Sequence, residues 1–405
     1  MKRIIFLNRF FFPDHSATSQ LLSDLAFHLA SAGRPVHVVT SRQLYDAPRA
    51  QLPLEEIVAG VHIHRLTTTQ FGRSGLPGRS IDYLSFYRSL WRFVPGLANP
   101  GDILVAKTDP PLLSVPAMRL AKRNGAHLVN WLQDLYPEVA MKLGVRFLHG
   151  PVGQGLIHLR DRSLRAAAAN VVVGQRMAER LVSRGIDPQR ISVIPNWTND
   201  EEIAPIPPME NPLRREWHLD HRFVVGYSGN LGRAHEFETV LAAAERLRSN
   251  PDIFFLVIGG GHRLPELARR VQACGLSDNF RIAPYQDKGM LKYSLSVPDV
   301  HWVSLKPELE GLIVPSKFFG IAAAGRPVIA VTANDGEIAR LVRQHACGVV
   351  IEPGNARALA DAIVYLAADR QRTAEMGRRA REMLDAHFTR LQALERWQRV
   401  LDSIP

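Results

Sequence analysis

The chain has 405 residues, enough for two ordinary domains with sizeable cores, and its 46% hydrophobic and 22% charged content is that of a globular protein, not a disordered one. Two cysteines, Cys274 and Cys347, with no CxxC spacing, exclude a zinc ribbon and a disulfide framework and fit a reducing compartment. The net charge of +11 is uneven: residues 1–200 hold 24 Lys and Arg against 14 Asp and Glu, whereas the rest hold 26 against 25. Such asymmetry points to an anionic membrane, a polyanion or an acidic substrate on the basic half.

The opening MKRIIFLNRFFFPDHS begins like a signal peptide, but Asn8 and Arg9 break the apolar stretch, so Ile4–Leu7 reads as a first buried strand. Further strands are expected at Val36–Thr40, Ile63–Leu66, Ile103–Ala106, Leu128–Trp131, Val171–Val173 and Ser192–Ile194. Amphipathic helical stretches such as Gln20–Ala30, Leu112–Arg123 and Arg176–Arg184 fall between them. Residues 79–94, RSIDYLSFYRSLWRFV, combine an apolar and aromatic face with Arg79, Arg88 and Arg92. This reads as a helix at a membrane interface, with Tyr83, Phe86, Trp91 and Phe93 near the headgroups. A core helix with three exposed arginines is the alternative.

The Pro-rich segment 204–212 reads as a linker. Beyond it the scheme repeats, with strands at Val224–Tyr227, Phe254–Ile258, Val300–Val303, Val328–Val331 and Val349–Ile351 separated by helices. Continuous Val, Ile and Phe runs alternating with helices imply parallel sheets covered on both faces. The expected architecture is α/β: two doubly wound, Rossmann-like domains over 1–203 and 213–384, with a C-terminal helix at 385–405 completing the first. Ligand is expected at the carboxyl ends of strands, in a cleft between the domains. No run reaches the length of a transmembrane helix.

The signatures of the commonest doubly wound proteins are missing. No GxGxxG follows the first strand, no GxxxxGK[ST] occurs, no D-x-D pair exists, and Gly259–Gly260–Gly261 reads as a flexible strand end. The segment EGLIVPSKFFGIAAAGRPVI at 310–329 is more telling. Pro315 suits a helix start, Ser316 is placed to cap it, and Gly325 and Pro327 end it. A helix N-terminus seats phosphate, and Lys317 adds a full charge in its first turn. Glu310, just upstream, is suited to sugar hydroxyls.

Four stretches in order resemble the retaining, family-4 glycosyltransferases of the GT-B fold. They are FFPDHSATSQLLSDLAFHLASAGRPVHVVT, ISVIPNWTN, VVGYSGNLGRAHEFETVLAA and the 310–329 segment, and together they span nearly the whole chain. The wording SGNLGRAHEF and VPSKFFGIAAAGRPV is most similar to a branch found in O-antigen and colanic acid pathways. The resemblance implies a nucleotide diphosphate sugar as donor, with a UDP-sugar favoured. It also implies an undecaprenyl diphosphate-linked saccharide as acceptor at the cytoplasmic face of the membrane.

On the donor side the resemblance places Glu310 and Gly311 by the sugar and the N–H groups after Pro315, with Ser316 and Lys317, at the diphosphate. Asn230, Arg233 and His235 occupy the loop where relatives carry basic residues, and Arg233 is the expected main counter-charge. Lys306 is a second cation, Tyr285 is placed to flank the base, and His235 is expected to be partly charged near neutrality. Two departures stand out: where relatives carry a ribose-binding carboxylate, this chain has Phe318 or Gly320. For the acceptor, Asp14, His15, Ser16, Gln133 and Asp134 are the candidates, with a turn cap as the other reading of Asp134. Catalysis is expected to rest on Glu310, Asp134 and Arg233 in a front-face displacement, with no metal and no cofactor. A nucleotide-sugar epimerase of the same fold and a basic nucleic-acid-binding protein are the alternatives, the latter lacking any recognised motif.

Overall fold

In a computed structural model that describes residues 2–47, 49–72 and 75–405, the chain forms two compact units. One comprises Met1–Pro195 with Ala393–Pro405, the other Asn196–Gln392. The first holds an eight-stranded sheet of β1 (Ile4–Leu7), β2 (Val36–Ser41), β3 (Glu55–Val58), β4 (Val61–Leu66), β5 (Ile103–Ala106), β6 (His127–Leu132), β7 (Ala169–Val172) and β8 (Ile191–Val193). The order is β3-β4-β2-β1-β5-β6-β7-β8, parallel throughout except for the β3–β4 pair. β1 and β5 are apolar at every position and wholly buried, as strands covered on both faces must be. β3 was not expected from the sequence. Its alternation is mostly exposed, and it is joined to β4 by Ala59–Gly60, both at positive φ (46° and 81°), the requirement of a tight hairpin loop.

The helix Leu76–Leu97 corrects the membrane expectation for its aromatics. Phe86, Leu90 and Val94 are fully buried against Ile5, Leu7 and Leu104, and Tyr87, Trp91 and Phe93 pack on the same cluster. The apolar stripe is core because the sheet needs a cover on that face. On this helix Ile81 and Leu84 are exposed, at 45% and 65%. No helix among the described residues is long and apolar enough to cross a membrane.

The end of the chain is two helices, Arg370–His387 and Arg390–Asp402, not one helix from 385. The break at Phe388–Thr389 is also where Gln392 turns back, its side chain donating to the carbonyls of Asp385 and Ala386. The last helix buries Ala393, Leu394, Trp397 and Leu401 in the first unit, with Trp397 4.5 Å from the Trp131 ring.

The second unit holds β9 (Phe223–Asn230), β10 (Ile253–Gly260), β11 (Phe280–Ala283), β12 (Val300–Ser304), β13 (Val328–Val331) and β14 (Gly348–Ile351) in the order β11-β10-β9-β12-β13-β14, all parallel. The order reverses between β9 and β12, which makes their carboxyl ends the place for a ligand. The corresponding point in the first unit lies between β1 and β5. The segment read as a linker is tied down along the second unit: Ile206 N–H donates to Ser296 Oγ (3.3 Å), the Ile206 carbonyl accepts from Arg326 (2.7 Å), and Asn211 donates to the Tyr293 carbonyl (2.8 Å).

Candidate active site

At the switch point of the second unit, the loops after β9 and β12 are joined by Lys306 N–H donating to the Ala234 carbonyl (3.0 Å). His235 donates from Nδ1 to the Ser304 carbonyl at 2.6 Å, which leaves Nε2 as an acceptor, and the Lys317 ammonium occupies it at 3.0 Å. The same ammonium lies 5.0 Å over the Tyr227 ring. Burial, with the Lys317 charge behind it, lowers the His235 pKa to about 3, so the ring is neutral at neutrality and the expectation of partial charge is corrected. Burial alone lowers Lys317 to about 7. Among the described residues no carboxylate offsets that cost.

Lys317 opens the short helix Lys317–Ala323. Gly311, at φ 71°, and Pro315 are buried just upstream, and Ser316 is exposed with helical backbone angles. Ser316 makes no side-chain cap hydrogen bond, contrary to expectation, because a residue already in the helical region points its hydroxyl away from the first N–H groups. Of the two departures from the family pattern, Phe318 is fully buried and packs on Phe319, whereas Gly320 faces Leu295 and Thr198.

Glu310 is held from the turn after β13. One carboxylate oxygen accepts from the Thr332 hydroxyl and the other from Glu337 N–H at 3.3 Å, in the first turn of the helix Glu337–Gln344. Gly336, the cap of that helix, leaves room for the same carboxylate, since a Cβ there would lie 2.6 Å from Glu310 Cδ.

The glycines that end β10 are not a flexible end. A Cβ at Gly259 would lie 3.0 Å from the Gly229 carbonyl carbon, one at Gly261 2.5 Å from Leu231 N, and one at Gly260 2.9 Å from Tyr285 Cε2. They let the ends of β9 and β10 and the Tyr285 ring close together, with Tyr285 itself 60% exposed. Asn230 is exposed, and its carbonyl accepts from the Tyr227 hydroxyl (2.8 Å). Arg233 is exposed and has no side-chain partner among the described residues. Arg263 braces the loop from behind, donating to the His235 carbonyl (3.2 Å) and pairing with Glu238 and Glu266.

The first unit presents different chemistry at its strand ends. Arg9 N–H donates to the Asp109 carbonyl (2.7 Å), and Lys107 N–H to that of Leu7 (3.1 Å). The Lys107 ammonium is buried, donates to the Thr18 carbonyl at 2.7 Å and lies 3.6 Å over the Trp131 ring; burial pulls its pKa well down. Asp134 lines a small pocket with Lys107, Thr108, Tyr136 and Arg160. Although partly exposed, it is packed closely enough that burial, and then the Asp109 charge, raise its pKa to about 6. Burial raises Asp109 to about 6 as well, against the pull of Arg9. Asp109 carries no motif and was not among the residues singled out.

The other acceptor candidates divide. Asp14 and Ser16 are engaged with the chain itself: one Asp14 oxygen accepts from Ser16 N–H (2.8 Å) and the Ser16 hydroxyl, the other from Tyr45 N–H (2.5 Å). His15 is exposed, with its carbonyl accepting from Gln20 (2.6 Å). Gln133 is buried beside Asp134, and its amide nitrogen has no acceptor among the described residues. No group of three His, Cys, Asp or Glu among the described residues is placed to hold a metal ion.

Two largely parallel sheets, each with a reversal of strand order of the kind that receives ligands, define a two-unit, doubly wound α/β protein. The family profile "Glycosyl transferase 4-like domain" matches residues 18–197 and "Glycosyl transferases group 1" matches residues 210–383. The chain is similar to WbjE of Pseudomonas aeruginosa, provisionally described as a glycosyltransferase, with 27% identity over 65% of each chain. It is likewise similar to WcaI of Escherichia coli K12, provisionally described as a colanic acid biosynthesis glycosyl transferase, with 28% identity over 62% of each. The alignments thus span less than two thirds of these relatives. The fold matches that of Anabaena HepE, solved in complex with UDP, with a TM-score of 0.73, 16% identity and full coverage of both chains. The chain belongs to the GT-B glycosyltransferases, with a family-4-like first unit and a group 1 second unit.

Proposed function

We propose that the chain is a retaining glycosyltransferase of bacterial surface polysaccharide biosynthesis. It moves a sugar from a nucleotide diphosphate donor, with a UDP-sugar favoured, to an undecaprenyl diphosphate-linked saccharide. The observation that carries this reading is Lys317: a partly buried ammonium held by a neutral imidazole and an aromatic face, at the switch point, with no carboxylate paired to it among the described residues. Such a cation is costly until an anion arrives, and a diphosphate is the anion that this fold accepts there. Arg233, exposed in the same loop as His235, supplies a second charge, with Lys306 alongside. The relatives' polysaccharide pathway and the UDP held by HepE support the choice of acceptor and donor.

In the reaction, the acceptor hydroxyl oxygen bonds to the anomeric carbon on the face from which the diphosphate leaves, and its proton passes to the departing phosphate oxygen. Lys317 and Arg233 stabilise the charge that develops on that oxygen. Glu310 orients the sugar hydroxyls, and Asp134, ionised above pH 6, accepts a hydrogen bond from the acceptor. Fixed cations stand in for a divalent metal. Ile81 and Leu84, with Arg88 and Arg92 further along the same exposed side of their helix, support docking on the inner face of an anionic membrane.

A thermal-shift comparison of UDP, GDP and dTDP tests the reading, since a ligand that binds the native state raises its midpoint. A shift with UDP is expected, and transfer that persists in excess EDTA. Silence with all three nucleotides overturns the donor site. Rescue of EDTA-lost activity by magnesium or manganese overturns metal independence, and epimerisation of donor without acceptor overturns transfer.

A further inference from the structure

The geometry points to Gly336 and Thr332 as positioning residues that aim the Glu310 carboxylate at the donor sugar, an inference that rests on the donor reading above. Gly336 has φ −64° and ψ 161°, angles any residue adopts, so backbone strain does not require glycine there. What requires it is space. The three heavy atoms nearest to a Cβ built at 336 all belong to the Glu310 carboxyl group, with Cδ at 2.6 Å, Oε2 at 3.0 Å and Oε1 closer still. The missing side chain is the room in which that carboxylate sits.

The carboxylate is also fixed in rotation. Thr332, following the end of β13, donates its hydroxyl to one oxygen, and Glu337 N–H, in the first turn of the next helix, approaches the other at 3.3 Å. Donors on both oxygens restrict the rotation of the long Glu310 side chain and so set the direction in which the carboxylate faces a bound sugar. Glu310 itself follows a tight turn (Pro307–Leu309) and precedes Gly311 at φ 71°, so its backbone is pinned from the other side.

Gly336→Ala separates positioning from folding. The obstructing atoms are the far end of a flexible side chain, so the variant folds by swinging Glu310 aside, and the helix Glu337–Gln344 keeps its start. A reacting group misplaced by about 1 Å can lose on the order of 100-fold in rate, so kcat/KM is expected to fall about 10- to 100-fold. UDP binding, which does not use Glu310, should stay at the wild-type level. Thr332→Val should lose less, because one donor remains, and Thr332→Ser should restore activity.

The deciding measurement is a double-mutant cycle on the full chain, read by UDP thermal shift and by transfer kinetics in parallel. If Gly336 acts through Glu310, adding Gly336→Ala to Glu310→Gln costs at most about twofold more. Full additivity of the two losses, or wild-type kcat/KM in Gly336→Ala, overturns the positioning role while leaving the donor site standing. Loss of UDP binding in Gly336→Ala also overturns it, since the residue would then serve the nucleotide. Absence of any nucleotide binding by the wild-type protein overturns the donor reading, and this inference with it.

Discussion

The two units each reverse strand order at one point of a doubly wound sheet, yet carry different chemistry there. In the second, near-neutral half of the sequence, the switch point holds an uncompensated cation, Lys317, on a neutral histidine. In the first, strongly basic half, the strand ends hold two carboxylates, Asp109 and Asp134, whose pKa values burial raises to about 6, beside the buried ammonium of Lys107. Net charge therefore says little about site charge. Several arginines of the basic half are spent on structure, as in the buried Arg160 pairs with Glu138 and Asp161. A site's sign is set by the few groups that the fold has desolvated.

Removing the cation is the hardest test of this contrast. Lys317→Met is expected to cost on the order of 2–4 kcal/mol of transition-state stabilisation while leaving the protein at least as stable, because a buried charge is gone. Transfer kinetics and a melting curve on the same sample check it. Unchanged kcat/KM would remove the lysine from the account.

Acidity sharpens the contrast by a smaller margin. Diphosphate binding favours the ammonium form of Lys317, so the complex takes up a proton wherever the free lysine is neutral. With the free pKa at about 7, affinity should be flat below that value and weaken above it, by at most about tenfold per pH unit. Calorimetry of UDP binding at several pH values in buffers of different ionisation enthalpy reads both the slope and the proton. Affinity that rises with pH would contradict the assignment.

The carboxylates should give the smallest effect, with the opposite sense. Asp134 is raised by burial, so the folded state holds a proton that the unfolded state has lost, and stability falls as pH rises from about 4 through about 6. Asp134→Asn removes that loss. Its melting midpoint should exceed wild type by about 2–4 °C at pH 7.5, the shift for about 1 kcal/mol in a domain of this size, and the gap should close as pH falls to about 4. Transfer should fall at the same time. A variant less stable than wild type at pH 7.5 would assign Asp134 to the fold instead.

How much of this could be read in advance depended on where the physics was local. β1 and β5 were legible because four consecutive apolar residues in each are buried on both faces. β3 was not, because Glu-Glu-Ile-Val exposes its side chains and only the Ala59–Gly60 loop betrays it. The 310–329 segment announced Lys317 and Glu310 through its Pro-Ser-Lys helix start. It was silent about His235 as the lysine's partner, which lies 82 residues away, and about Thr332 and Gly336 as the carboxylate's holders. The aromatic stripe of residues 79–94 misled because amphipathicity fixes which face is apolar, not what covers it. Gly259–Gly261 misled for the opposite reason: the glycines are there for close packing, and a sequence shows only that they lack side chains.

The helix Arg390–Asp402 gives the first unit an unusual history. Domains ordinarily fold in the order in which the ribosome delivers them, the leading one first. Here Trp131 waits for Trp397, and Lys2 for the carbonyl of Ile404, while the whole of the second unit is synthesised between them. Meanwhile the later unit closes on its own strand of chain, with Arg390 N–H bound to Asp200 and Arg381 to the Ile203 carbonyl. The half of the protein that is made first is the half that is finished last, and a nascent chain stalled before residue 390 would expose the flank of Trp131 to whatever chaperone or partner meets it.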